Sequence, residues 1–267
     1  MMAKHLMEDA QFATAFDRAA KEYEFGRPTY SGMAVDALTR ELGLGPQSVV
    51  VDLGAGTGKL TRDLAARFDR IIAIEPLSEM RDLLTRQVPV AEAMAGTAEH
   101  MALSGASADA VVVAQAFHWF DGPRALDEIA RVLKPGGGLG MLWNTTPWEL
   151  RESPWFQLVD DLLEGSRADL SVMRRHGSGQ WRRAFEGKPR FQPLSEATFD
   201  NTRRMSQEEF LANLASRSYV AALSPDDRQR VMRDIAGLLE RPEAPLEAGH
   251  VVVPMRTDVY WTRLRLD

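Results

Sequence analysis

The sequence contains no cysteine. Disulfides, thiolate metal sites and cysteine nucleophiles are therefore excluded, and the absence fits a reducing compartment. Long apolar runs are missing as well: no stretch approaches the roughly 20 residues that span a bilayer. The opening Met-Met-Ala-Lys-His-Leu-Met-Glu-Asp holds no apolar core of the kind a signal peptide carries. Nor is there an excess of positive charge, since 32 Lys and Arg face 38 Asp and Glu for a net −6. Such a balance gives no global attraction to nucleic acid or to an anionic membrane. The expectation is a cytoplasmic, soluble protein with neither of those partners. Its oligomeric state is not encoded in any of these features.

What is present suits one α/β domain with a sizeable core, with room for an insertion. The chain has 267 residues, 45% of them hydrophobic and 26% charged. Residues 10–21 and 31–42 read as helices, the second opened by Ser31 as N-cap and stopped by Gly43. Thereafter strands and helices alternate. Strands are expected at 49–51, 70–75, 90–95, 110–114 and 139–143, with helices at 60–68, 78–87 and 123–133 between them. Ser78 is the expected N-cap of its helix. Ala110-Val111-Val112-Val113-Ala114 is apolar at every position, which marks a central strand covered on both faces. This alternation predicts a doubly wound, mostly parallel sheet. Beyond Asn144 the composition changes: Trp148, Trp155, Trp181 and several prolines and arginines suggest a helical cap insertion over 145–190. A strand over 191–203, helices over 206–222 and 225–239, and a last strand over 250–263 bent at Pro254 complete the reading.

The most informative stretch is Val49 to Thr61, a β-branched strand that breaks into Gly54, Gly56 and Gly58 before an amphipathic helix. A strand, a glycine turn and a helix bring backbone N–H groups close to a ligand with no Cβ in the way. A dinucleotide fingerprint needs its last glycine three places after the second. Here Lys59 stands at that position and the third glycine comes one residue earlier. Glu75 ends the next strand beside this turn, where a carboxylate can accept hydrogen bonds from two ribose hydroxyls, and Pro76 follows it. That geometry serves any adenosine cofactor.

The Gly-x-Gly-x-Gly form with Asp52 just before it resembles motif I of the class I S-adenosylmethionine (SAM)-dependent methyltransferases. Glu75, Gly96-Thr97-Ala98-Glu99, the segment 114–120 and Lys134-Pro135-Gly136-Gly137-Gly138 follow in that family's order, so the resemblance covers about residues 20–145. Ala114-Gln115-Ala116-Phe117-His118-Trp119-Phe120 resembles the small-molecule branch known as the Methyltransferase type 11 group. The family implies a seven-stranded Rossmann-like sheet whose antiparallel last strand slots between strands five and six. It also implies SAM as cofactor and S-adenosylhomocysteine as product. Cofactor contacts are then expected from Asp52, Gly54, Gly56, Gly58, Glu75, Pro76, Thr97, Ala98, Glu99, Gln115 and Ala116. Thr97 departs from the Asp commonest at its position. The prelude Tyr23 to Tyr30 resembles the opening of the trans-aconitate-type enzymes, which adds Arg27 and Tyr30 to the cofactor contacts and Tyr23 to the substrate contacts. Phe117, His118, Trp119, Asn144 and Trp148 are the remaining substrate candidates. By this resemblance 1–45 is a helical lid, 46–144 the SAM-binding core, 145–190 the cap, and 191–267 the completion of one methyltransferase domain.

A cationic sulfur is attracted by aromatic faces, and methyl transfer depends mainly on alignment and electrostatics. A carboxylate acceptor needs no base, whereas a hydroxyl or a carbon acid does. His118 is the candidate base, because an imidazole titrates near about 6.5. Between Ser171 and Met205, Arg174, Arg175, Arg182, Arg183, Lys188, Arg190, Arg203 and Arg204 face only Glu186, Glu196 and Asp200. They suit either an anionic small substrate or a solvated surface. The expected reaction is methylation of a small molecule at a carboxylate or hydroxyl oxygen. The alternatives are a SAM-fold protein that binds cofactor without methyl transfer or catalyses another reaction, a nucleic-acid methyltransferase, and an NAD-dependent dehydrogenase. The first of these stays open because binding motifs survive loss of chemistry.

Overall fold

In a computed structural model of the chain, the described residues are 24–145, 153–165 and 179–266. The expected helix at 10–21 lies outside them, as do Tyr23, Trp148, Arg174 and Arg175. The described residues fall into two compact units, one of 29–143, 179–199 and 257–266, the other of 24–28, 144–145, 153–165 and 200–256.

The first unit is built on seven strands: β1 (Val49–Leu53), β2 (Arg70–Ile74), β3 (Glu92–Met94), β4 (Ala108–Ala114), β5 (Leu133–Thr145), β6 (Ser195–Asp200) and β10 (Arg256–Arg263). Their spatial order is 3-2-1-4-5-10-6. The first five pair in parallel with one another. β10 runs against them: the Leu264 N–H bonds the Gly137 carbonyl near the start of β5, while Tyr260 packs on Trp143 near its end. Phe191 and Leu264 form an antiparallel bridge on the other side, and the Thr198 hydroxyl donates to Asp258 at 2.9 Å.

Successive residues of a strand point to opposite faces, and helices cover both. Four helices matter here: α1 (Gly32–Glu41), α2 (Lys59–Ala65), α3 (Ser78–Gln87) and α4 (Gly122–Val132). Val51, Ile72, Val111, Val113 and Met141 meet Leu126 and Ile129 of α4 on one face. Val50, Ile71, Val112 and Leu142 meet Leu38 of α1 and Leu60 and Leu64 of α2 on the other. Val111-Val112-Val113 is apolar throughout because both faces are dry. α1 lies close to β5. A Cβ on Gly140 would stand 2.6 Å from a Leu38 methyl, and one on Gly138 would stand 2.5 Å from a Leu42 methyl.

The second unit holds α5 (Pro154–Gly165), β7 (Arg203–Ser206), α6 (Gln207–Ala215), α7 (Ser218–Ala221), α8 (Pro225–Leu239), β8 (Leu246–Glu247) and β9 (His250–Val253). Its strands form an antiparallel sheet in the order β7-β9-β8. Its core joins Trp155, Phe156, Phe210, Leu214, Val231, Ile235, Val251 and Val253. The Trp155 indole donates to the Leu238 carbonyl at 3.1 Å. The Ser206 capping box with Glu209 is present, and the Ser224 hydroxyl accepts the Asp227 N–H at 3.2 Å.

Four local expectations are corrected. The strand expected over 191–203 divides into β6 and β7, because the Asp200 carboxylate captures the Thr202 hydroxyl and turns the chain. The strand expected over 250–263 becomes β9 and β10 in different sheets, since Pro254 has no N–H for a ladder. The helix expected over 206–222 breaks after Ala215, where the Ser216 hydroxyl bonds back to the Asn213 carbonyl at 2.8 Å. Ser78 is not an N-cap; that place belongs to Leu77.

Two glycines of the second unit make opposite predictions. A Cβ on Gly26 would lie 2.3 Å from the backbone of Ala212 and Asn213, so Gly26→Ala is expected to cost about 1–3 kcal/mol. Gly237 sits within α8 with nothing near its Cβ position, so Gly237→Ala should stabilise by about 0.5–1 kcal/mol. Urea unfolding of both variants reads the two signs.

Candidate functional site

The turn after β1 is held by the end of β2. The N–H groups of Gly54 and Ala55 both bond the Ile74 carbonyl, at 2.8 and 3.1 Å. Gly54, Gly56 and Gly58 all adopt left-handed backbone, with φ of 71°, 59° and 88°. Gly54 also packs tightly, since a Cβ there would stand 2.9 Å from the Ala116 methyl. Gly56 is different: nothing lies within 4 Å of where its Cβ would be. The backbone at Gly56 therefore faces open space.

Glu75 follows β2 and is only 5% exposed. One carboxylate oxygen accepts the Gly56 N–H at 2.8 Å and the other the Leu77 N–H at 2.9 Å. The side chain thus links the glycine turn to the start of α3. Arg81 grips the same corner through the carbonyls of Glu75 and Pro76.

Asp52 lies beneath the turn and is 1% exposed. Its Oδ2 accepts the Thr61 hydroxyl at 2.6 Å, while Oδ1 has no hydrogen-bond partner among the described residues. Burial, and then the negative charge of Glu75, push its carboxyl up to about 7.

The other expected contacts are distributed as follows. Thr97 and His100 close a tight two-way bridge, Ala98 is buried, and Glu99 accepts the Asp121 N–H at 2.9 Å. Gln115 leaves β4 with φ of 57°, a strained conformation for a non-glycine residue, held by its N–H to the Leu142 carbonyl at 2.9 Å. Phe117 corrects its expectation: it is 1% exposed and stacks on Phe185 at 5.7 Å, so it is core and not a substrate contact. His118 and Trp119 are half-buried in the turn after β4, with ring centroids 5.1 Å apart. Trp143, which sequence reasoning passed over, donates its indole N–H to His118 Nδ1 at 3.2 Å. Tyr30 is half-buried against the α1 side of the sheet core. Arg27 and Asn144 belong to the second unit, where Arg27 donates to the Ser216 carbonyl and Asn144 links the Pro28 carbonyl to Asn201. Of the cap cations, Arg182 pairs with Glu196 and lies over Trp181 and Tyr260, Lys188 pairs with Asp127, and Arg204 with Glu247.

Residues 51–141, from β1 to β5, match the family model of the methyltransferase domain. An uncharacterized methyltransferase of Mycobacterium tuberculosis is 34% identical over 245 residues, covering 91% of this chain and 93% of that one. The chain belongs to the class I SAM-dependent methyltransferases. A methyltransferase-like protein of Schizosaccharomyces pombe is 34% identical over 221 residues, with 82% and 84% covered. A solved structure described as a type II methyltransferase from Anaeromyxobacter dehalogenans superposes with a TM-score of 0.62 at 25% identity, covering 90% of this chain and 98% of that one.

SAM is accordingly the cofactor of this methyltransferase, and an NAD-dependent dehydrogenase is set aside. The residues present fit it: the space at Gly56 admits a ligand against backbone, and beside it Glu75 is a carboxylate of the kind that accepts hydrogen bonds from a ribose diol. No group of three or more metal-ligating side chains occurs among the described residues. None of the described helices is long and apolar enough to cross a membrane.

The buried carboxyl of Asp52 gives this corner a pH signature. An unfolded Asp52 ionises near 3.8, whereas the folded one holds its proton up to about 7. Folding takes up a proton between those values, so this contribution to stability is complete below the lower value and is lost as pH rises through the upper one. The span corresponds to at most about 4 kcal/mol. Asp52→Asn keeps an acceptor for Thr61 and removes the titration. Its stability relative to wild type should therefore rise from pH 5 to pH 8 in urea unfolding. A difference that stays constant would mean Asp52 is charged throughout.

Proposed function

We propose that this methyltransferase transfers the methyl group to an oxygen of a small molecule, a carboxylate in preference to a hydroxyl. The observation that carries this reading is the turn after β4, where half-buried His118 and Trp119 place a polar and an aromatic group at the carboxyl end of the central strand. In an open α/β sheet that edge borders the ligand crevice. The same segment lacks the Asn/Asp-Pro-Pro-Tyr sequence of enzymes that methylate nucleic-acid amines, and a net charge of −6 disfavours a polyanion.

When bound, SAM supplies a methyl group made electrophilic by its positive sulfur. In this reading the chain's own residues bind and orient. Glu75 accepts the ribose hydroxyls, and the Gly54–Gly58 turn accommodates the ligand against bare backbone. The Thr97–Glu99 turn meets the adenine through Ala98 backbone, while Gln115 and Ala116 border the methionine part. Asp52 supports the turn from below. Trp119 offers an aromatic face to a cation. The acceptor is a compact, oxygen-bearing molecule, and an anionic one agrees with a reaction that needs no base.

Two measurements test the reading. Glu75→Gln removes one charged acceptor and should weaken SAM and S-adenosylhomocysteine binding about tenfold or more by isothermal titration; unchanged affinity overturns the ribose assignment. Tritiated methyl transfer from SAM into a metabolite extract, followed by mild alkali, separates the acceptors. Tritium released as methanol marks a carboxylate, alkali-stable tritium marks a hydroxyl, amine or carbon, and no transfer at all means a protein that binds without this chemistry.

A further inference from the structure

Trp143 lies near the end of β5 and is 1% exposed. Its ring is fixed by neighbours, with Trp181 at 4.8 Å between centroids and Tyr260 edge-on at 5.6 Å. Arg182 lies over both of those rings, 5.1 and 4.7 Å from their centroids. So held, the indole Nε1 stands 3.2 Å from Nδ1 of His118. An indole nitrogen always carries a proton and can only donate. His118 Nδ1 is therefore the acceptor and bears no proton, and the proton of the neutral ring is on Nε2. A proton added at Nδ1 would set two N–H groups against each other at hydrogen-bond distance.

We propose that Trp143 is a positioning residue that holds His118 neutral with its proton on Nε2, so that His118 serves as a hydrogen-bond donor and not as a base. This deepens the carboxylate reading and rests on it for its functional meaning. An acceptor facing a donor must bring its own lone pairs, as a carboxylate does. A hydroxyl would have to give up a proton to a ring whose Nδ1 is engaged by Trp143 and whose Nε2 is already protonated. The ring of Trp119, 5.1 Å from that of His118, has likewise only an N–H donor and no acceptor on its nitrogen.

The test is the nitrogen spectrum of His118 itself. Long-range proton–nitrogen correlation of histidine-labelled protein with S-adenosylhomocysteine, at pH 7.5 and assigned with His118→Gln, should give one tautomer. Nδ1 should show the shift of an unprotonated ring nitrogen and Nε2 that of a protonated one. Trp143→Phe keeps an aromatic ring but removes the donor, and both nitrogens should then move to intermediate shifts as the tautomers mix. If that variant fails to fold, the Trp143 indole N–H of His118→Ala should move upfield from its hydrogen-bonded position. A proton on Nδ1 in the wild type, mixed tautomers there, or a spectrum unmoved by the loss of Trp143's donor overturns the proposal. These spectra need no methyl acceptor. If the single tautomer is found and tritium nevertheless enters a hydroxyl, the carboxylate reading fails and the tautomer stands.

Discussion

The hydrogen bonds of one buried carboxylate organise the cofactor side of this sheet. Glu75 takes the Gly56 N–H on one oxygen and the Leu77 N–H on the other, so the turn after β1 and the start of α3 share one anchor. A turn with three left-handed residues has little reason to hold one shape by itself. It is held here because two of its N–H groups bond the end of β2 and a third bonds the residue that follows that strand. A charged acceptor makes such bonds stronger than a neutral one would. The cost falls on Asp52, whose carboxyl is kept protonated up to about 7 by burial first and then by the charge of Glu75. The two acids thus divide the work: Glu75 binds N–H groups, and Asp52, which holds its proton up to about 7, props the turn from beneath.

The carboxyl end of β4 is organised by aromatic packing. Phe117 sinks into the cluster with Phe185, Phe120 and Trp181, which turns the following residues outward. Burial of Phe117 is what leaves His118 and Trp119 at the edge. Trp143 belongs to the same cluster, and its buried indole N–H finds an acceptor in His118 Nδ1. The packing of the core and the protonation of the edge histidine are therefore one problem with one solution. Arg182 and Glu196 finish the cluster on its outer side, which gives the guanidinium a structural partner and aromatic faces to cover. The basic residues of 182–204 that form ion pairs follow the surface reading of that segment, and such exposed pairs contribute little to stability.

Much of this was legible without coordinates. The alternation of β-branched runs and amphipathic stretches between 49 and 143 located β1 to β4 and the helices between them within a few residues, because a covered parallel sheet needs dry strands and a helix needs one apolar stripe. It found only the second half of β5, which begins at Leu133 and not at Leu139. The shift of one glycine and the presence of Lys59 separated this turn from a dinucleotide loop. Past Asn144 the signal weakened. A strand interrupted by Asp200 looks continuous until the Asx turn at Thr202 is seen, and a ribbon bent at Pro254 does not announce that its halves join different sheets. The helix expected to run past Ser216 had good propensity, and a single hydroxyl bonding backward ended it.

Residue types and spacing were enough to place the glycine turn, the acidic residue beside it and the doubly wound sheet, since each follows from backbone requirements along the chain, while the family came from resemblance. Which of two adjacent aromatics is core and which is edge does not follow from spacing, and folding chose Phe117 for the interior. The protonation of Asp52 depends on Glu75 and on burial, and the tautomer of His118 depends on a tryptophan 25 residues away in the chain. Both are properties of groups brought together from different strands. A local pattern has no access to them, because the dielectric around a side chain and the partner of a ring nitrogen exist only once the sheet has formed.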